Sequence, residues 1–455
     1  TVISHVSDEY ITSIKDTTRV PSLESVFMNP SSIRSRYQNF GELIPSSKPK
    51  RYKSTFYPDF IQTSIDNTLL FTRYQPFEYN GGNYNNPPLS GFLTSSLTDI
   101  MEDYKLLGGI RFGSDFNSLD YFLSWSNFRK RTDWDLLYYH SGVTYLYDFR
   151  NGVVPYYSPY PVYGKVSTDY IQGSLSYPFD ILQSIRLHLG MRYDKIRLKA
   201  KDKYSIGIPD DKNFWIVSRG EFIYDNTISP FPNIRKGSRA KLFIEYQYKM
   251  NDDTKGFYCF GYDARNYMTL YKNTILASRL AGSHSGGNAK VLFLMGGVDN
   301  DVDPKMDNTA TIDYTQNYAF QSLATNMRGY RQGFRNGNSY MVVNEEVRFP
   351  IFNTLRKKPI RSNFLRNLQL IAFADIGSAW KGILPDDNNI QNIKKITEPN
   401  SGVTVYLDNS KYDFGLGYGL GLRSRLLGYF IRSDFAWNIE GIKKPMVHIS
   451  LATDF

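Results

Sequence analysis

The sequence predicts an all-β protein, a transmembrane antiparallel β-barrel, from three observations. Long segments alternate apolar and polar residues with a period of two, the signature of strands with two unlike faces. The 455 residues include 36 Tyr and 30 Phe, yet 22% are charged and the mean hydropathy is −0.42. The last segment alternates as well, and it ends on Phe455.

These figures exclude other classes. A disordered chain would lack the aromatics, and the single Cys259 leaves no disulfide scaffold. A membrane-spanning helix needs about 18 apolar residues in a row; the run Val291 to Val298 has eight, two of them Gly. A barrel escapes such windows because its strands alternate. The net charge of +10 is modest and not gathered on helices, so no nucleic-acid partner is expected. Thr1 to His5 shows no basic or apolar leader, so a leader has been removed or the chain is a piece of a longer precursor.

Residues 1–50 alternate poorly and hold Ser-Ser-Lys-Pro-Lys-Arg at 46–51, which reads as an entry segment or periplasmic linker. Residues 51–455 read as the barrel. A polar, irregular first strand is expected near Ile61 to Phe71. Ser174 to Ile185 reads as strand, turn at Pro178 to Asp180, and returning strand. From Ile185 one face carries Ile185, Leu187, Leu189 and Met191, the other Arg186, His188, Arg192 and Asp194. From Ala240, Leu242, Ile244 and Tyr246 oppose Lys241, Glu245 and Lys249. The segments from Tyr412 and Tyr429 repeat the pattern, and the last strand starts at Pro445. Long polar stretches at 80–88, 299–324 and 381–411 read as the loops of one rim.

Alternation alone does not separate a soluble sandwich from a membrane barrel. Strands of about ten residues exceed the usual five or six of soluble sheets. The terminal strand decides: Val447, Ile449, Leu451 and Phe455 form one face, similar to the C-terminal insertion signal of bacterial outer-membrane barrels.

Several segments then resemble, in chain order, the outer-membrane assembly-factor superfamily of BamA, TamA and the two-partner-secretion translocators. Val291 to Gly297 resembles the strand end before that family's long sixth loop. Asn326-Met-Arg-Gly-Tyr330, with Val343-Asn-Glu-Glu-Val-Arg-Phe-Pro350, resembles its Arg-Gly-aromatic loop motif and the strand after it. Ala372-Phe-Ala-Asp-Ile-Gly377, with Phe373 and Gly377, is similar to its Phe-x-Asp-x-Gly strand, and 419–423 and 431–437 to its closing strands. Met327 stands where Val or Ile is usual, and no POTRA domain is recognisable. The resemblance implies about 16 strands and a long loop folded into the lumen; separately, and on no single motif, a Bacteroidota-type arrangement is expected, a soluble periplasmic region followed by such a barrel, with this chain the barrel end.

Other motifs carry less. Gly415-Leu-Gly-Tyr-Gly-Leu-Gly421 lacks the strand-to-helix context of a dinucleotide loop and reads as a strand face closely approached by lumen contents. Asp299, Asp301 and Asp303 alternate, but Pro304 occupies the sixth position, where a calcium loop needs Gly. The five His are scattered, and no nucleophile elbow surrounds Cys259. No catalytic residue, metal or cofactor is expected.

Carried over by motif, Arg328, Gly329 and Tyr330 form the tip of the lumen loop. A desolvated Arg328 needs partners, and alternation places Glu346 and Asp375 on the lumen face, within reach of a bidentate pairing. The expected function is protein insertion or translocation in the bacterial outer membrane, through a weak seam between first and last strands. The alternative is a passive or partner-gated pore or surface-complex barrel. Expected partners are outer-membrane lipid, client proteins, and periplasmic or surface subunits.

Overall fold

The computed structural model describes residues 54–455 apart from 68, 78–83, 115–116, 148–161, 200–202, 252–255, 308, 357–359, 386–392, 398–403, 409–412, 441–443 and 452. The expected entry segment, 1–50, lies outside the described residues.

The wall is built in chain order. β1 (Phe56–Asp66), β2 (Ser90–Asp99), β3 (Tyr104–Gly113) and β4 (Leu119–Asn127) are followed by β5 (Asp133–Tyr147), β6 (Val162–Pro178), β7 (Gln183–Lys199) and β8 (Asp211–Asp225). Next come β9 (Ile234–Lys249), β10 (Gly256–Tyr271), β11 (Thr274–Gly287) and β12 (Ser339–Pro350). The wall ends with β13 (Gln369–Trp380), β14 (Gly415–Leu426), β15 (Tyr429–Asn438) and β16 (Met446–Leu451). Each strand pairs antiparallel with the next, giving a 16-strand, nearly closed barrel. Among the described residues no register joins β1 to β16. The barrel has a seam. Among the described residues no helix is long and apolar enough to cross a membrane.

Burial along the strands is inverted relative to a soluble protein. On β7, Leu189 is 56% exposed whereas Asp194 is 1% exposed; on β9, Ile244 is 64% exposed and Glu245 3%. Apolar residues face outward along the whole wall, a surface that would aggregate in water and that suits lipid. Charged residues face inward, where they pair: Arg111 with Asp120, Arg192 with Asp194, and Arg219 with both Glu221 and Glu245.

The connection from β11 to β12 packs against the wall face that carries the buried residues. Within it Lys290–Met295 pairs in parallel with Tyr318–Ala324 and antiparallel with Arg335–Gly337, and Gln75–Pro76 adds a fourth strand. Both faces of this inner sheet are covered. Val291, Phe293, Met295 and Phe320 pack on the wall residues Trp215, Phe257, Cys259, Ala281, Val342 and Ala379. Leu292, Leu294 and Tyr318 pack on Tyr84.

Four sequence expectations need correction. Val291 to Gly297 is not the end of a wall strand; an apolar run covered on both faces belongs to the inner sheet. The polar stretch 299–324 is likewise not a plain rim loop, because it contains the strand Tyr318–Ala324, which pairs with Lys290–Met295. The first strand lies earlier than Ile61 to Phe71, running from Phe56 with a register shift between Pro58 and Phe60, where Pro lacks the N–H for a regular ladder. Phe455 does not share the outward face of Val447 and Ile449: the strand ends at Leu451, and Phe455 is buried against Ile234, Tyr267, Ile275 and Ala277.

Candidate functional site

The tip of the inner segment presses against β12 to β15. Gly329 sits at φ +85°, a left-handed conformation open to glycine, and a Cβ there would lie 2.6 Å from the Trp437 carbonyl oxygen. Asn438 Nδ2 donates to the Gly329 carbonyl oxygen at 2.7 Å. Opposite, a Cβ at Gly417 would overlap the Arg328 carbonyl oxygen, and one at Gly415 would lie 2.9 Å from the Phe334 ring. Gly417 therefore admits the loop backbone and Gly415 the Phe334 ring, whereas Gly419 and Gly421 are approached by the wall residues Phe435, Phe373 and Asp434. At Gly377 of β13 a Cβ would lie 2.9 Å from the Met341 carbonyl oxygen and 3.4 Å from Met327.

This close approach brings Arg328 to its partners. Its Nε donates to Asp375 Oδ2 at 2.6 Å and its Nη2 to Asp375 Oδ1 at 2.7 Å, while Nη1 donates to Glu346 Oε1 at 2.6 Å. The Arg328 main-chain N–H adds a bond to Asp375 Oδ2 at 3.0 Å. The Phe373 ring lies 3.7 Å from the guanidinium carbon, a cation–π contact in a desolvated place. Asn344 Nδ2 donates to Asp375 Oδ1 and to the Asn326 carbonyl oxygen. All three charged side chains are buried. Tyr330 stacks on Phe334 with ring centroids 4.1 Å apart, and its hydroxyl accepts from Leu416 N–H at 3.1 Å.

A second network, which sequence reasoning missed, continues from the first. Arg348 donates Nε to Glu346 Oε2 at 2.8 Å, Nη1 to the Asn233 carbonyl and Nη2 to the main-chain oxygen of Phe455 at 3.0 Å. Asp454 accepts from Arg423 Nε at 2.8 Å, from Arg432 Nη1 at 3.4 Å and from Asn233 Nδ2 at 2.8 Å. Arg423 also pairs with Asp434 at 2.8 Å. Alternation already set Arg423, Arg432 and Asp434 on lumen faces. Alternation set Asp454 on the face of His448 and Ser450 as well; what it did not signal is that Arg423 and Arg432 converge on it past the end of β16.

Of the remaining expected residues, Val447 and Ile449 point outward and Leu451 is half-buried at the end of β16. The arrangement holds a loop and orders a chain end. Among the described residues no group of three or more His, Cys, Asp or Glu is placed to hold a metal.

A family model, the Omp85 superfamily domain, matches residues 111–450. Among solved structures, BamA from Haemophilus ducreyi lacking POTRA domains 1–3 aligns with a TM-score of 0.50 at 12% identity, over 92% of this chain and 78% of that one. CdiB from Escherichia coli aligns with a TM-score of 0.46 at 13% identity, over 90% of this chain and 64% of that one. CdiB from Acinetobacter baumannii gives 0.45 at 11% identity, over 88% and 64%. The chain thus spans less than two thirds of either CdiB chain. The BamA alignment is a likeness of fold. No curated protein matches the sequence.

Proposed function

Because the chain belongs to the Omp85 superfamily, we propose that it inserts or translocates proteins at the bacterial outer membrane, acting through its seam and not through an open lumen. The observation that carries this reading is the missing register, among the described residues, between β1 and β16 in a wall whose other neighbours are paired. In lipid an unpaired strand edge is costly, so ordinary barrels close completely. An edge left unsealed is a template on which an extended segment of another chain adds as a strand. No covalent chemistry is required.

In this reading Arg328, held by Asp375 and Glu346, is a positioning residue that keeps the inner sheet in register with the wall. The partners are lipid on the outward face, a client presenting an extended strand, and periplasmic or surface subunits. Residues 1–50 serve as a linker into the barrel. A passive pore needs an open path, and the packing of the inner sheet on Trp215 and Phe257 favours the seam over such a path.

The test uses Cys pairs scanned between 61–65 and 447–451 in a Cys259→Ser background, in proteoliposomes given a urea-unfolded outer-membrane barrel as probe. Oxidised, cross-linked protein should remain folded and lose insertion of the probe, and reductant should restore it. Locked barrels that insert the probe at the unlocked rate would sink the seam mechanism. Steady, large single-channel conductance of the unmodified protein would favour the pore.

A further inference from the structure

β16 gives one edge to β15 and turns the other toward the seam. On that seam edge, Val302 N–H donates to the Ile449 carbonyl at 2.8 Å, and Leu451 N–H donates to the Asn300 carbonyl at 3.3 Å. Between these bonds Asp301 faces Ser450 as an antiparallel bridge. The tripeptide Asn300–Val302, from the inner segment, therefore occupies main-chain groups that a closing β1 would otherwise take.

Side chains fix the tripeptide from both lips of the seam. Asp301 Oδ2 lies 2.8 Å from Nδ1 of His448 on β16, and Arg432 Nη2 donates to the Asp299 carbonyl at 2.6 Å. From the other lip, Asn67, the residue after β1, donates Nδ2 to the Asp301 carbonyl at 2.6 Å and its N–H to Asn300 Oδ1 at 3.4 Å.

The stretch is also built to stay short. In this register the next N–H facing β16 would belong to residue 304, opposite Val447, and Pro304 has none. At the other end Asn300 sits at φ +55°, which breaks the extended conformation. A longer strand laid along Met446–Leu451 would make more ladder bonds than the tripeptide gives up. The contact is suited to exchange.

We propose that Asn300–Val302 is a built-in occupant of the seam, a strand surrogate that must leave β16 before an extended segment can pair there. This regulates the seam and so rests on the reading above, but its test does not require a client. The probe is a synthetic peptide copying Phe56–Asp66 and bearing a benzophenone, added to the barrel in lipid bilayers in the Cys259→Ser background. Val302→Pro removes the donor to Ile449, and Asp301→Ala removes the contact with His448. Heat-resistant gel migration checks that both fold.

Each variant should raise photo-capture of the peptide on β16 about tenfold, a difference of about 1.4 kcal/mol. An oxidised Asp301→Cys, Ser450→Cys pair should abolish capture, and reductant should restore it. Failure of that pair to cross-link in membranes, or equal capture by free, substituted and locked protein, would overturn the inference. Insertion of the unfolded-barrel probe is followed in parallel. Capture that obeys the lock while no form inserts the probe would refute the insertion function and leave the occupant standing. Insertion indifferent to the lock would do the reverse.

Discussion

Arg328 and Asp375 meet through two parallel hydrogen bonds, at 2.6 and 2.7 Å, inside a pocket closed by the Phe373 ring. The fork geometry explains why an arginine stands there: a planar guanidinium offers paired donors to one carboxylate and a further donor to Glu346, whereas an ammonium is a single point charge.

Arg328→Ala leaves two buried carboxylates facing each other with part of their compensation gone. The expected loss is about 3–5 kcal/mol, read from the urea midpoint of the lipid-embedded barrel. Arg328→Lys should recover only a small part. Arg331, exposed beside it, should be replaceable without effect. Arg335 is no such bystander, because it is buried on the inner sheet and donates to Ser378 Oγ at 3.1 Å; its loss should also destabilise.

Gly417→Ala places a methyl group on the Arg328 carbonyl oxygen. The loop has to shift, at a cost of about 1–3 kcal/mol, with increased protease cleavage in the 325–335 segment. Gly173→Ala is the control: nothing lies within 4 Å of its Cβ position. An equal effect at both sites would count against this close approach.

Asp454→Ala should cost as much as loss of a buried ion-pair partner, about 3–5 kcal/mol, because Arg423 and Arg432 both direct donors at it. Asp454→Asn keeps acceptor oxygen but no charge and should lie between. Thermal unfolding monitored by heat-modifiable gel migration measures both. A neutral Asp454→Ala would mean that the chain end is not held through this network.

Ile244→Arg tests which way the wall faces. At a mid-bilayer position the substitution should cost about 2–4 kcal/mol, whereas an exposed site in water would tolerate it within about 0.5 kcal/mol. Ile244 is 64% exposed to whatever surrounds the barrel. Refolding into lipid vesicles of the wild type and the variant, compared by urea titration, distinguishes the two surroundings.

Much of this architecture was legible because a wall strand has two unlike faces. Ile185 to Asp194 and Ala240 to Lys249 alternate so regularly that strand and facing follow from the side chains themselves, and the inward facing of Glu346, Arg348 and Asp375 follows with them. The alternate glycines from 415 to 421 were legible as a place of close approach, although the Arg328 carbonyl at Gly417 and the wall atoms that crowd Gly419 and Gly421 were not. Where periodicity stops, so does the inference. Val291 to Met295 is apolar throughout, and an unbroken apolar run has no face to assign; only packing on Phe257 on one side and Tyr84 on the other makes it an inner strand. Phe455 continues the alternation on paper, but the backbone leaves the ladder after Leu451 and the ring turns inward to Tyr267. The seam is the extreme case. That β16 meets Asn300–Val302 on this edge is a matter of main-chain groups far apart in the chain, and backbone hydrogen-bonding groups are the same at nearly every residue.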